Sequence, residues 1–180
     1  MGIRIDARVT SGLTNRLVMI MMTLILFACQ PVDTFRPPTR SELEAFFRDQ
    51  GITVLNQLSF DDSTLLLYEK GTSFGYYTLS VREPAGEMVL NQLSATKSSD
   101  PILVMGQSSG AYPFVAVILQ DPTLLAKTTT IEVSAASQSP LTVSTNGQAS
   151  VILVSPSLAA GWNTVTLYNA QGEVLYTQGG

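Results

Sequence analysis

From Gly51 onward, short apolar and β-branched runs alternate with clusters of turn-forming residues, and this punctuation constrains the fold more than any other feature of the chain. The runs cover 52–58, 64–69, 76–82, 87–93, 102–105, 114–119, 129–133, 141–144, 150–154, 164–169 and 173–177. Between them lie Asp-Asp-Ser, Glu-Pro-Ala-Gly, Ser-Ser-Gly, Thr-Asn-Gly and Ala-Gln-Gly, which bring the residue types that tight turns need. Short strands at near-regular spacing predict an all-β fold, a small antiparallel β-sandwich over 41–180, rather than βαβ units. Val115–Leu119 (VAVIL) and Val151–Val154 (VILV) do not alternate with polar residues, so they are expected to be central and buried on both faces.

One short helix is expected ahead of the strands. Ser41 is placed to cap it, Glu44 to reach back as a capping box, and Gly51 to stop it, with Leu43, Phe46 and Phe47 on one face. About ten residues cannot hold a helix alone, so that face must pack on something. The stretch Ala135–Pro140 is the best internal boundary, but the residues after it are few for independent folding and are expected to complete the same core. The hexapeptide Val54–Ser59 (VLNQLS) recurs letter for letter as Val89–Ser94, and holding the same offset aligns Gly71 with Gly106 and Tyr77 with Tyr112. This suggests a duplicated strand, strand, turn, strand unit.

Composition narrows the chemistry. The 180 residues are 45% hydrophobic and 13% charged, with no histidine and a single cysteine. The commonest general base is therefore missing, the usual metal-site pairings are missing, and no disulfide can form within the chain. Gly106-Gln107-Ser108-Ser109-Gly110 has the spacing of a serine-hydrolase elbow, yet no histidine exists to take the proton and a strand rather than a helix is expected to follow. Gly71-Thr72-Ser73-Phe74-Gly75 repeats the pattern one unit earlier, which reads as a hairpin connection. Asp61 and Asp62 adjoin in a turn, while Glu69, Glu83, Glu87 and Asp100 sit near strand ends; neither a glycosidase pair nor a Ca²⁺ loop is spelled out. Lys70, Lys97 and Lys127 lie in polar turns, unsuited to a serine–lysine dyad. No catalytic residue, cofactor or metal is expected, and the chain reads as non-enzymatic.

The N-terminus reads as an address. Arg4, Arg8 and Arg16 precede an uncharged run from Leu17 to Ala28. Its twelve residues would span roughly 18 Å as a helix, well short of the ~30 Å hydrocarbon core, as in a secretory signal. The run ends in Leu26-Phe27-Ala28-Cys29, which resembles the lipobox of bacterial lipoproteins. That resemblance implies a signal peptide over 1–28, cleavage before Cys29, a diacylglycerol on its sulfur, and an amide-linked fatty acid such as palmitate on its amine. It implies anchoring on the outer side of a bacterial membrane; Gln30 in place of an aspartate points to the outer membrane where the cell has one. Residues 29–40, with three prolines from Gln30 to Thr39, read as a tether of roughly 30 Å. Removing 1–28 leaves 7 basic residues of 10 and 13 acidic residues of 14, a net charge near −6, which gives no electrostatic reason to bind nucleic acid or an anionic lipid surface.

The function expected from these features is an envelope lipoprotein presenting a binding or scaffolding module. An alternative is a carbohydrate-binding module, with Trp162, Tyr77 and Tyr112 as candidate stacking rings. A weaker one is an inhibitor or accessory subunit of an envelope protein, reached by pairing at the edge of the last hairpin, 164–176.

Overall fold

The computed structural model describes residues 33–135 and 138–179; the leader and Cys29 lie outside them. Among the described residues the chain is β-rich, with twelve strands in three antiparallel sheets. The first sheet holds β1 (Thr34–Arg36), β2 (Thr53–Ser59), β3 (Thr64–Lys70), β4 (Ser73–Glu83) and β5 (Glu87–Thr96). Its path runs β1-β4-β3-β2, and β5 pairs with β4. A middle sheet has the order β10-β7-β6, with β6 at Ile102–Gln107, β7 at Phe114–Leu119 and β10 at Ser150–Val154. The last sheet has the order β12-β11-β8-β9, from Thr130–Ala135 (β8), Leu141–Ser144 (β9), Trp162–Tyr168 (β11) and Val174–Gly179 (β12). From Phe35 to Gly180 the chain forms one unit, and strands on both sides of Ala135–Pro140 pair within the same sheet.

Three apolar cores join these parts. Helix α1 (Arg40–Gln50) sets Leu43 against Leu66, Tyr68, Tyr77 and Leu79 on one face of the first sheet. The opposite face of that sheet, through Leu65, Leu67, Phe74 and Tyr76, packs on Met105, Phe114, Ala116 and Ile118 of the middle sheet. The other side of the middle sheet, Val115, Val117, Val151 and Leu153 among them, packs on Ile131, Val133, Val165 and Leu167 of the last sheet. Successive residues of a strand face opposite sides, so a strand enclosed by two cores must be apolar throughout. β7 is buried at every position and β10 at most of them, as their unbroken apolar runs predict. The same logic accounts for Tyr76 and Tyr77, adjacent on β4. A single core could bury only one of two adjacent strand residues, but both are buried here, because the first sheet is covered on both faces.

The helix begins earlier than expected. Thr39, not Ser41, is the N-cap, and Glu42, not Glu44, closes the capping box by accepting from the Thr39 backbone N–H at 2.6 Å. Gly51 ends the helix with φ +60, as expected. Glu42 also receives both terminal nitrogens of Arg36 at 2.9 Å, while Arg36 Nε donates to Glu83 at 2.7 Å. This fork ties β1 to the helix and to β4, and Pro38 is buried. The C-terminal half of the proposed tether is thus docked on the fold, through long-range partners that a proline-rich reading does not disclose.

The Arg36 guanidinium, with help from Thr39, holds the Glu42 carboxyl down at about 2, against 4.5 for a free glutamate. A folded-state pKa below the unfolded one gives stability that is full above the unfolded value and lost as pH falls through the folded one. Thermal melts are therefore expected to show the midpoint falling as pH drops from about 4.5 toward 2. E42Q should flatten that part of the profile and cost roughly 1 kcal/mol at neutral pH. A melting profile in E42Q as steep as the parent's over that window would show that the carboxylate is not held this way.

The repeated hexapeptide does not mark a repeated structure. Val54–Ser59 lies in β2, whose register shifts between Val54 and Asn56, whereas Val89–Ser94 lies in β5, whose pairing with β4 is unbroken. The shift puts Val54 with the helix-side core, while Val89, opposite Ser80, points the other way. Gly71 sits in the β3–β4 turn, and its aligned partner Gly106 lies inside β6.

Candidate functional site

The inner face of the first sheet changes character along β4. Phe74 and Tyr76 belong to the core, and the next residues on that face are Thr78 and Ser80. Across the ladder, Thr78 stands opposite Leu65 and Asn91. A cavity of about 200 Å³ opens over Thr78 and Ser80, closed by the Phe60–Ser63 turn and by the loop between β6 and β7 that carries Tyr112.

The turn is built by Phe60 N–H donating to the Ser63 carbonyl at 2.8 Å, with Ser63 Oγ donating to Asp62 Oδ1 at 2.9 Å. This brings Phe60 under Tyr112, and the two rings lie nearly parallel, 9° apart, with centroids separated by 3.9 Å. On the far side, Gln107 Nε2 donates to the Ser109 carbonyl at 2.7 Å and steadies the loop. Partial desolvation and the neighbouring charge of Asp62, followed by that of Asp61, raise the pKa of the Tyr112 phenol, so it remains a neutral donor through the physiological range. The hydroxyls of Thr78 and Ser80 take no hydrogen-bond partner among the described residues and face the cavity. The walls thus combine an aromatic pair, one carboxylate, one carboxamide and several hydroxyls, with no lysine or arginine.

Of the three rings expected to stack on a ligand, the structure brings only Tyr112 to this cavity. Tyr77 is 4% exposed beneath α1, stacked on Tyr68 at 4.7 Å and met edge-on by Phe46 at 5.1 Å. Trp162 is half-buried, opens β11, and packs its ring over Gly106 against the core between the middle and last sheets. The ring that sequence reasoning missed is Phe60. It directly precedes Asp61-Asp62-Ser63, but its partner is far away in sequence.

The carboxylates weighed for hydrolysis are mostly engaged elsewhere. Glu83 pairs with Arg36, Glu87 with Arg82 at 3.4 Å, Glu69 with Lys97, and Asp100 accepts from Ser98 at 2.9 Å. Lys97 also lies 4.8 Å from the Phe74 ring centroid. Among the described residues no group of three or more His, Cys, Asp or Glu is arranged to hold a metal ion. Both G-x-S-x-G patterns fall at hairpins, β3–β4 and β6–β7. A larger groove of about 440 Å³ runs between α1 and β2, past Leu43, Phe47 and Gln57, with the Arg40–Glu44 ion pair at 2.8 Å on its rim. At the last hairpin, β12 pairs only with β11 among the described residues, and Val174 is 59% exposed. No known protein family, curated protein or solved structure matches the chain.

Proposed function

We propose that this chain is a non-enzymatic bacterial envelope lipoprotein, held at the outer side of a membrane by lipid on Cys29, that presents a β-sandwich binding or scaffolding module. The observation that carries the reading is the run Leu17–Ala28 closing on Leu26-Phe27-Ala28 immediately before the only cysteine, a few residues ahead of the folded body. Two acyl chains or more, at ~0.8 kcal/mol per buried CH₂, anchor a protein stably without a spanning helix.

Mass spectrometry of the protein purified from its own host is expected to find residue 29 as the N-terminus with a thioether-linked diacylglycerol. C29S should lose the lipid and move from the membrane to the soluble fraction. An unmodified thiol at position 29, with the leader attached, would refute the anchoring.

A second reading, a carbohydrate-binding module, is favoured by the Phe60–Tyr112 pair beside the hydroxyl-lined cavity. It predicts binding of a glycan by the full-length protein. A flat response across a broad polysaccharide panel would remove it.

A further inference from the structure

We infer that the cavity between the Phe60–Ser63 turn and the Tyr112 loop is a binding site for a single neutral sugar ring, a proposal that rests on the carbohydrate reading above.

Size gives the first argument. Hollows that enclose drug-sized ligands run to ~300–1,000 Å³, and at about 200 Å³ this one takes a single ring, such as a chain end or a side branch, rather than a stretch of polymer. Chemistry gives the second. A pyranose presents an apolar C–H face and a rim of hydroxyls, so its site needs an aromatic wall beside neutral donors and acceptors. Phe60 and Tyr112 supply the wall, already stacked and therefore ordered before the ligand arrives. Thr78 and Ser80 supply two hydroxyls on the rigid floor of β4 that spend nothing on the protein itself, and Gln107 and Tyr112 add an amide and a phenol.

Charge gives the third argument. Asp62 borders the site, Asp61 adjoins it, and no basic side chain is among the residues that line it, so an acidic sugar or a phosphate would enter beside a carboxylate rather than a cation. Asp62 is itself occupied by Ser63 Oγ and accepts further hydrogen bonds readily, which suits a sugar hydroxyl. The floor extends sideways through Asn91, on the same face of β5 as Thr78, so a glycan attached to the bound ring has a polar path toward the sheet edge.

Saturation-transfer NMR and titration calorimetry on the full-length protein in detergent micelles test the site. The probes are D-glucose, N-acetyl-D-glucosamine and D-galacturonate. One neutral sugar at least is expected to bind, and galacturonate to bind about tenfold more weakly. Y112A and T78V should each weaken the neutral sugar about tenfold, while Y112F, which keeps the ring, should lose less. Tyr112 lies in a loop and Thr78→Val conserves shape, so both variants are expected to melt within a few degrees of the parent. No binding of either neutral sugar at their solubility limit overturns this site. Glycan binding that survives both Y112A and T78V overturns it while leaving the carbohydrate reading standing. Tighter binding of galacturonate than of the neutral sugars overturns the ligand class.

Discussion

V117D is expected to remove a large share of the folded state's stability. Val117 is fully buried at the centre of β7, paired on one side with Val151 of β10 and on the other with Val104 of β6. Its side chain lies in the core shared with the last sheet, and its neighbours Ala116 and Ile118 lie in the core shared with the first. A carboxylate there would be enclosed by apolar side chains, away from solvent. Leaving it charged costs several kcal/mol, and protonating it still strands a polar group among valines. A loss of at least about 4 kcal/mol is expected, against total stabilities of ~5–15 kcal/mol for domains of this kind. V117A should cost about 2–3 kcal/mol through the lost burial of two methyl groups and the cavity they leave. Thr142→Lys, on the exposed face of β9 and opposite Glu132, should stay within about 0.5 kcal/mol. Denaturant titrations followed by circular dichroism separate the three. A cooperative transition for V117D within 1 kcal/mol of the parent would mean that β7 is not enclosed by two cores.

That enclosure was legible in the sequence because it leaves a local mark. A strand with a core on each side loses the alternation that one-sided strands keep, and VAVIL and VILV both lack it. Boundaries were readable for the same reason: β7, β9 and β10 begin and end where the apolar runs do, since turn residues flank them closely. What failed to show was whatever depends on distant partners. β1 is three residues long with Phe35 exposed, and its place depends on Arg36 reaching Glu83 across the fold. The count of cores is equally non-local, which is why Tyr76 and Tyr77 could not both be assigned to the interior from their adjacency. Helix α2 (Pro122–Lys127) is a different case, because its signal was present: Asp121 accepts from Thr123 and Leu124 N–H groups, and proline occupies the first helical position. The six shared letters of β2 and β5 make the same point in reverse, for identical local sequence meets two different partners and one copy shifts register where the other does not.

The candidate site was half visible. An aromatic ring in a Gly-rich connection, as at Tyr112, is a natural suspect. Trp162 and Tyr77 were suspects of the same kind, and rarity or adjacency along the chain carries no information about which ring faces solvent. Phe60 drew no notice because a phenylalanine beside a strand usually fills core. Thr78 and Ser80 could be placed on one face of β4 by period-two reasoning, but their free hydroxyls matter only because the middle sheet stops short of covering them.

G106V is expected to be nearly as damaging as a core charge, and for a reason that reassigns a motif. Gly106 opens the pattern that resembles a serine-hydrolase elbow, yet it lies within β6, opposite Val115. A side chain built on it would run into the Phe114 carbonyl oxygen and would stand 3.1 Å from the Trp162 ring. The carbonyl belongs to the neighbouring strand and cannot withdraw without breaking the β6–β7 ladder, so the ring must yield as well. Overpacking of this kind costs about 3 kcal/mol, which for a chain of this size lowers the melting temperature by roughly 6–12 °C. Because Trp162 is the only tryptophan, its emission reports the displacement directly and should shift to the red. S108A, at an exposed loop position in the middle of the motif, should leave stability within about 0.5 kcal/mol. G179A, at a glycine with open space around it, should behave likewise. If G106V melted with the parent and kept the parent's emission, the glycine would not be there to make room for Trp162, and the packing of the last sheet on the middle one would need a different account.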